Sequence, residues 1–384
     1  MRILAISHSC VIPEYRKRMS YLVRLNGVNL SLLVPRQWRE YNSWVSLEKS
    51  GDEAYNIISV QPMSWWINNS GFRNVTHFYP RVKEIMENVH PDIVELWEEP
   101  FSLVAAHTIF WARRVNDSVK IIFFSAQNIR KDYPFPFSFF EKYTYGNANY
   151  AFLVSDDVAS VLKAKGYDKQ FLVLPLGVDP EFFRKKDVSS LKKDLRISDF
   201  VVGFVGKIVD QKGILDLIQA ISEINEKIQL LIIGNGNLRE EVEHRVRSLG
   251  LGQKTIIIDA VPHSEIPEYL NCMDLLVIPS ITLPHLKEQF GRIIIEGMAC
   301  EVPVIGSDSG EIPTTIDKAG LIFKEKDIKD LKEKIEALIK NPNLRATLAK
   351  KGRKRVLEKF SWKVIAEKQY QVYMELMRQR RCST

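Results

Sequence analysis

The chain has only four cysteines in 384 residues, Cys10, Cys272, Cys300 and Cys382, and none stands in a C-x-x-C pair. That scatter argues against a cysteine zinc site or a disulfide framework, and the expected setting is the reducing cytoplasm. No stretch approaches the ~20 consecutive apolar residues of a membrane span. The opening run Ile3-Leu4-Ala5-Ile6 is too short for a signal peptide and reads as a first strand. No Asp-x-Asp occurs, which excludes a metal–diphosphate clamp of that kind. No G-x-x-x-x-G-K-[ST] occurs, which excludes a P-loop.

The composition is that of a globular protein, with 45% hydrophobic and 26% charged residues, and the length suits two domains. The net charge of +7 is unevenly spread: residues 324–384 hold 18 Lys+Arg against 8 Asp+Glu, so the rest is slightly acidic. A solvated face on C-terminal helices is the ordinary explanation. The sharper one is peripheral contact with an anionic membrane at its inner face. Nucleic acid is not an expected partner, because no binding motif accompanies the charge. Two aromatic clusters, Trp65-Trp66-Ile67 and 135–140, read as core or lid. Beside Arg16-Lys17-Arg18 they also suit an interfacial contact.

Short apolar runs alternate with amphipathic stretches along the whole chain. The runs predict strands at 3–7, 30–35, 57–60, 93–96, 121–125, 150–154 and 171–174. A second series follows at 201–205, 229–233, 255–258, 275–278, 304–305 and 320–323. Helical periodicity fills gaps such as 14–25, 75–88 and 102–114, then runs nearly unbroken from Asp327 onward. Such alternation predicts an α/β protein with two doubly wound, Rossmann-like domains, 1–183 and 184–361, joined through the charged stretch 181–193. Residues 362–384 form a last helix expected to return to the first domain. Each sheet should bind ligands at the carboxyl edge of its strands, and two facing edges would make a cleft.

The most informative segment is Lys287-Glu288-Gln289-Phe290-Gly291-Arg292-Ile293-Ile294-Ile295-Glu296-Gly297. Two glutamates stand a little over two helical turns apart, the first at a helix mouth and the second inside an apolar helix. A carboxylate there is costly to bury unless it binds something, and paired sugar hydroxyls are a natural partner. The N–H groups at the helix start suit phosphate. A strand at 201–205 leads into Gly206-Lys207 and then Lys212-Gly213, where two lysines can reach a diphosphate. Gly234-Asn235-Gly236-Asn237 is a second such turn, with Asn237 the expected helix cap. In the first half, His8 ends the first strand, Glu98 and Glu99 follow the strand at 93–96, and Gln127 follows the one at 121–125. All four are candidates for the acceptor side of the cleft, with loop solvation the ordinary alternative for the acids.

Taken together these residues resemble family 4 glycosyltransferases, retaining enzymes of the GT-B fold. The resemblance is strongest from about Val173 to Phe323, on the E-x7-E pattern with its Phe-Gly and on Pro303-Val304-Ile305-Gly306-Ser307-Asp308-Ser309-Gly310-Glu311-Ile312-Pro313. It implies that Glu288 contacts donor-sugar hydroxyls and that Phe290 and Gly291 offer backbone N–H groups to the sugar or its phosphates. It implies further that Glu296 binds the nucleotide ribose, that Lys207 and Lys212 hold the diphosphate, and that Gly206 lets the phosphates approach the backbone. The donor is then a nucleotide-diphosphate sugar, the acceptor a glycan or lipid-linked hydroxyl, and neither cofactor nor metal is required. This sequence departs from the family where a glycine pair often follows the first strand, here Ser7-His8-Ser9, and where a histidine often stands, here Gln127. Two rivals are a sugar-nucleotide epimerase of the same architecture and a sugar-nucleotide-binding protein without catalysis.

Overall fold

The computed structural model describes residues 1–40, 43–48, 51, 53–64 and 70–381. The Trp65-Trp66-Ile67 cluster and Cys382 lie outside them. The chain forms two compact units, one of Met1–Pro175 with the segment from Trp362 onward, the other of Leu176–Ser361.

The first unit holds a seven-stranded parallel sheet: β1 (Arg2–Ile6), β2 (Asn29–Val34), β3 (Asn56–Ser59), β4 (Ile93–Leu96), β5 (Lys120–Ser125), β6 (Tyr150–Leu153) and β7 (Phe171–Val173). Their order is β7-β6-β5-β4-β1-β2-β3. The second unit holds six: β8 (Phe200–Val205), β9 (Ile228–Ile233), β10 (Thr255–Ile258), β11 (Leu275–Ile278), β12 (Val304–Ser307) and β13 (Leu321–Phe323), in the order β10-β9-β8-β11-β12-β13. Every neighbouring pair in both sheets is parallel. Strands covered on both faces carry no polar alternation, and all six residues of β9, Ile-Gln-Leu-Leu-Ile-Ile, are buried. In each sheet the chain winds outward from its first strand and then crosses to the other side. That topological switch falls between β1 and β4 in one unit and between β8 and β11 in the other.

The structure corrects several expectations. The helix read over 75–88 is two helices, Ser70–Thr76 and Val82–Val89. Between them His77–Phe78 pairs with Met63–Ser64. Pro80 explains the break, since it lacks an N–H and disfavours helix at the residue before it. The division between units falls at Pro175/Leu176 rather than 183/184. Residues after it belong to the second unit because Val178 N–H donates to the Phe360 carbonyl (2.8 Å) and buried Phe183 accepts from Arg353 (2.8 Å). Asn237 does not cap the helix Arg239–Ser248, whose cap position is Leu238 with no side-chain bond.

Arg16 and Arg18 do not belong to an interfacial patch. Both are buried, Arg16 against Glu53 (2.8 Å) and Arg18 against Glu95 (3.6 Å), with the Arg18 guanidinium over the Trp97 ring. Glu95, on β4, also accepts from Gln369 (2.6 and 2.8 Å), from the Tyr373 hydroxyl and from Trp97 Nε1. Gln369 and Tyr373 lie on the last helix, Trp362–Arg381, whose Ile365, Ala366 and Leu376 share one core with Ile3, Ala5 and Leu22. Phe135 and Phe139 are exposed, so that aromatic cluster is not core. Among the described residues no helix is long and apolar enough to cross a membrane.

Candidate active site

Three strand ends of the second unit converge on the Glu288 carboxylate. After β8 the chain passes Gly206 and the exposed Lys207, then makes a short turn, Asp210–Lys212. From that turn Lys212 Nζ reaches Glu288 Oε2 at 2.5 Å. Ser280, just past β11, donates its hydroxyl to the same oxygen at 3.0 Å. Ser307, the last residue of β12, fixes Ser280 in turn by donating to its carbonyl at 2.5 Å. Glycine is required at two places in this construction. Gly213 has φ +61, and a Cβ there would stand 1.9 Å from the Pro279 carbonyl oxygen. Gly310 has φ +53, and a Cβ would stand 2.1 Å from the Glu288 carbonyl oxygen. A larger residue at either would push apart the loops that carry Lys212 and Glu288.

The arrangement has a plain chemical reading. Glu288 is nearly buried, whereas the Lys212 side chain keeps 26% of its exposure. A lysine stem is flexible and costs entropy to fix, and the carboxylate holds this one at the switch point with part of the side chain still open to solvent. The ammonium can therefore serve an anionic ligand arriving from solvent. Beyond it Gly291 caps the helix Arg292–Ala299 with φ +76, and Phe290 is buried with its carbonyl bonded to Thr315 Oγ1 (3.0 Å).

The helix starts later than the glutamate spacing suggests, so Glu288 stands in the loop before it rather than at its mouth. Glu296 sits in the second turn, buried, with Oε1 3.0 Å from His263 Nε2. The structure thus brings together Lys212 and Glu288, gives Glu296 a separate partner, and leaves Lys207 on the surface. Ser280, Ser307 and His263 were missed because nothing local in the sequence marks a partner contributed by another loop.

Residues 187–355 match the family model described as glycosyl transferases group 1. The match covers 169 of the 384 residues, all within the second unit. Among curated proteins, the chain is 36% identical over 186 residues to the capsular polysaccharide biosynthesis glycosyltransferase CapM of Staphylococcus aureus, covering 47% of each. It is 30% identical over 216 residues to a GDP-mannose-dependent phosphatidylinositol monomannoside mannosyltransferase of Corynebacterium glutamicum, covering 53% of this chain and 56% of that one. The chain thus spans about half the length of the curated relatives it matches. Likeness of fold extends further. Sucrose-phosphate synthase from Thermosynechococcus elongatus superposes with a TM-score of 0.75 at 19% identity, covering 98% of this chain and 99% of that one. Anabaena Alr3699/HepE, solved in complex with UDP, gives 0.73 at 16% identity, covering 98% and 100%. The fold is GT-B, and the segment that matches the group 1 model lies within its second doubly wound unit.

The first unit, outside the matched segment, has its own cluster at the β1/β4 switch. His8 Nδ1 lies 2.7 and 2.9 Å from the two oxygens of Glu98, and the His8 backbone N–H donates to Glu98 Oε1 at 2.8 Å. His77 closes the other side, Nε2 3.8 Å from Glu98 Oε1. The acids are not solvated loop ends. Burial works to raise the Glu98 pKa, but His8 and His77 outweigh it and hold the group at about 2. Glu99 turns toward β5 and accepts from Ser125 Oγ (2.7 Å) and Ala126 N–H (2.8 Å). Burial pushes its pKa up to about 7 against those two bonds, with Glu98 and Glu141 adding repulsion. Gln127 spends its amide within its own loop, donating to the Ile129 carbonyl at 2.8 Å. His77 lies in the segment 75–88 whose periodicity reads as helix, and Pro80 is the local signal against that helix.

Proposed function

We propose that the protein is a retaining glycosyltransferase that moves a sugar from a nucleotide-diphosphate sugar to an acceptor hydroxyl. The observation that carries this reading is the convergence of Lys212 and Ser280 on Glu288 at the β8/β11 switch, in the segment that matches the group 1 model. In the reaction the bond from the anomeric carbon to the β-phosphate oxygen breaks, and the acceptor oxygen bonds to the same face of that carbon. The acceptor's proton passes to the leaving phosphate oxygen. Lys212 and Lys207 stabilise the charge that grows on the diphosphate, with the N–H groups at the start of the helix Arg292–Ala299 in support. Lysines take the part a metal plays elsewhere, so the transfer itself is metal-independent. Glu288 orients Lys212 and contacts sugar hydroxyls, and Glu296 binds the ribose.

The relatives' names support a nucleotide-sugar donor and an acceptor in polysaccharide or lipid-linked glycan synthesis. The setting proposed is cytoplasmic, at the inner face of a membrane. A thermal-shift panel of UDP-, GDP- and ADP-sugars tests the donor, because a ligand that binds the native state raises its melting temperature. One sugar nucleotide should stabilise the chain, and NMR of the transfer product should show the donor's anomeric configuration kept. Donor turnover without an acceptor, or binding without transfer over a broad acceptor panel, would overturn the reading.

A further inference from the structure

Three elements of the first unit meet at one point. The chain just after β1 contributes His8, the chain just after β4 contributes Glu98, and the strand His77–Phe78 contributes His77. Their ligating atoms all lie within 4.8 Å of one another. We propose that these three residues bind a divalent metal ion with zinc's preference for imidazole and carboxylate. The proposal concerns residues of the first unit alone and stands independently of the glycosyl-transfer reading.

His77 carries the argument. It is fully buried, and its Nδ1 lies 3.2 Å from the Arg73 carbonyl oxygen. A carbonyl only accepts, so Nδ1 keeps its proton in either charge state, and in the neutral ring that metal binding requires Nε2 presents its lone pair. Nε2 is buried with no hydrogen-bond partner and points at Glu98 Oε1, 3.8 Å away, beyond hydrogen-bond reach. Buried polar atoms without partners are rare, and an unrecorded ion is one standard cause. An imidazole that donates one nitrogen to a carbonyl and offers the other inward is the usual posture of a metal-bound histidine.

The distances and surroundings agree. Zinc bonds of about 2.0–2.2 Å place ligand atoms roughly 3.4 Å apart at tetrahedral angles. Measured to one oxygen, Glu98 Oε1, the separations are 2.9 Å to His8 Nδ1 and 3.8 Å to His77 Nε2, either side of that value, and all the ligating atoms lie within 4.8 Å of one another. Binding exchanges the proton that His8 shares with Glu98 for the cation. The Trp38 ring packs on both imidazoles, 4.7 Å from His8 and 4.9 Å from His77, and so limits their rotation. The His8 side chain is 19% exposed against at most 1% for the other two, which gives the ion its entry and leaves a coordination position toward solvent.

The test uses the full chain, stripped with a chelator, dialysed, and titrated with Zn²⁺ by calorimetry and with Co²⁺ by visible absorption. One ion per chain should bind, at micromolar affinity or tighter. His8→Ala and Glu98→Gln should each weaken binding at least about tenfold. His107→Ala, in the same unit but bonded to Trp111, should leave it unchanged. Circular dichroism checks the fold of each variant, and the partly exposed His8 decides the matter if Glu98→Gln unfolds. No saturable uptake by the wild type, or uptake that both cluster variants leave intact, would overturn the proposal and identify the trio as a proton-sharing network. None of these readouts depends on transfer activity.

Discussion

The two units share one strand order and differ in what they place at its switch point. At β8/β11 stands a partly exposed lysine held by a glutamate that also accepts from a serine, with glycines where loops approach closely. At β1/β4 stands a buried carboxylate between two histidines, under a tryptophan. Doubly wound topology therefore fixes where a ligand can bind, and the residues in the loops decide which. The first arrangement offers a cation to an anion. The second offers lone pairs and negative charge to a cation.

Substitutions can break or sharpen that contrast. The largest effect should fall on stability in the first unit. Glu95→Ala leaves Arg18 buried without its counter-charge and deprives Gln369 and Tyr373 of their acceptor. Removing one partner of a buried pair typically costs about 3–5 kcal/mol, and urea unfolding would show it. A loss under about 1 kcal/mol would mean the last helix is held by its apolar face alone.

Lys212→Ala should come next. It removes a preorganised charge from the developing leaving group, and transfer should fall about 10²–10³-fold while circular dichroism stays unchanged. Glu296→Ala should act more weakly and mainly on donor affinity. Hydrogen bonds to a charged group contribute about 1.5–3 kcal/mol, roughly tenfold to a hundredfold in Kd, measurable by calorimetry. If Glu296 serves only as a partner for His263, donor affinity will not move and only the melting temperature will fall. The smallest effect should be that of His8→Ala on donor binding: the donor-induced thermal shift should match the wild type's. A large change would mean the two switch points do not have separate ligands.

Most of the strand framework was legible because parallel strands covered on both faces read as unbroken apolar runs, as in β9. Short pairings were not. Gln37–Glu40 with Ser43–Ser46, and His77–Phe78 with Met63–Ser64, have too few residues and too little alternation to stand out from loop. The charge of Arg16 and Arg18 reads as surface in the sequence because their partners Glu53 and Glu95 lie far along the chain. In the candidate site, glutamate spacing and the glycine-lysine turn single out Lys212, Glu288 and Glu296, and the structure pairs the first two with each other and the third with His263. The partners Ser280, Ser307 and His263 remained hidden because each meets its glutamate, or another site residue, across a loop contact that only folding creates. Glycine's need for positive φ made Gly213 and Gly310 readable as turns, but not the loops they press against.

The central claim is that Lys212, held by Glu288, receives the donor's diphosphate. A crystal structure of the chain with its stabilising nucleotide sugar tests it most directly. The account predicts a diphosphate oxygen within hydrogen-bond distance of Lys212 Nζ, about 2.7–3.2 Å, with Glu288 on the sugar. A diphosphate bound elsewhere, with the Lys212–Glu288 pair untouched, would contradict it.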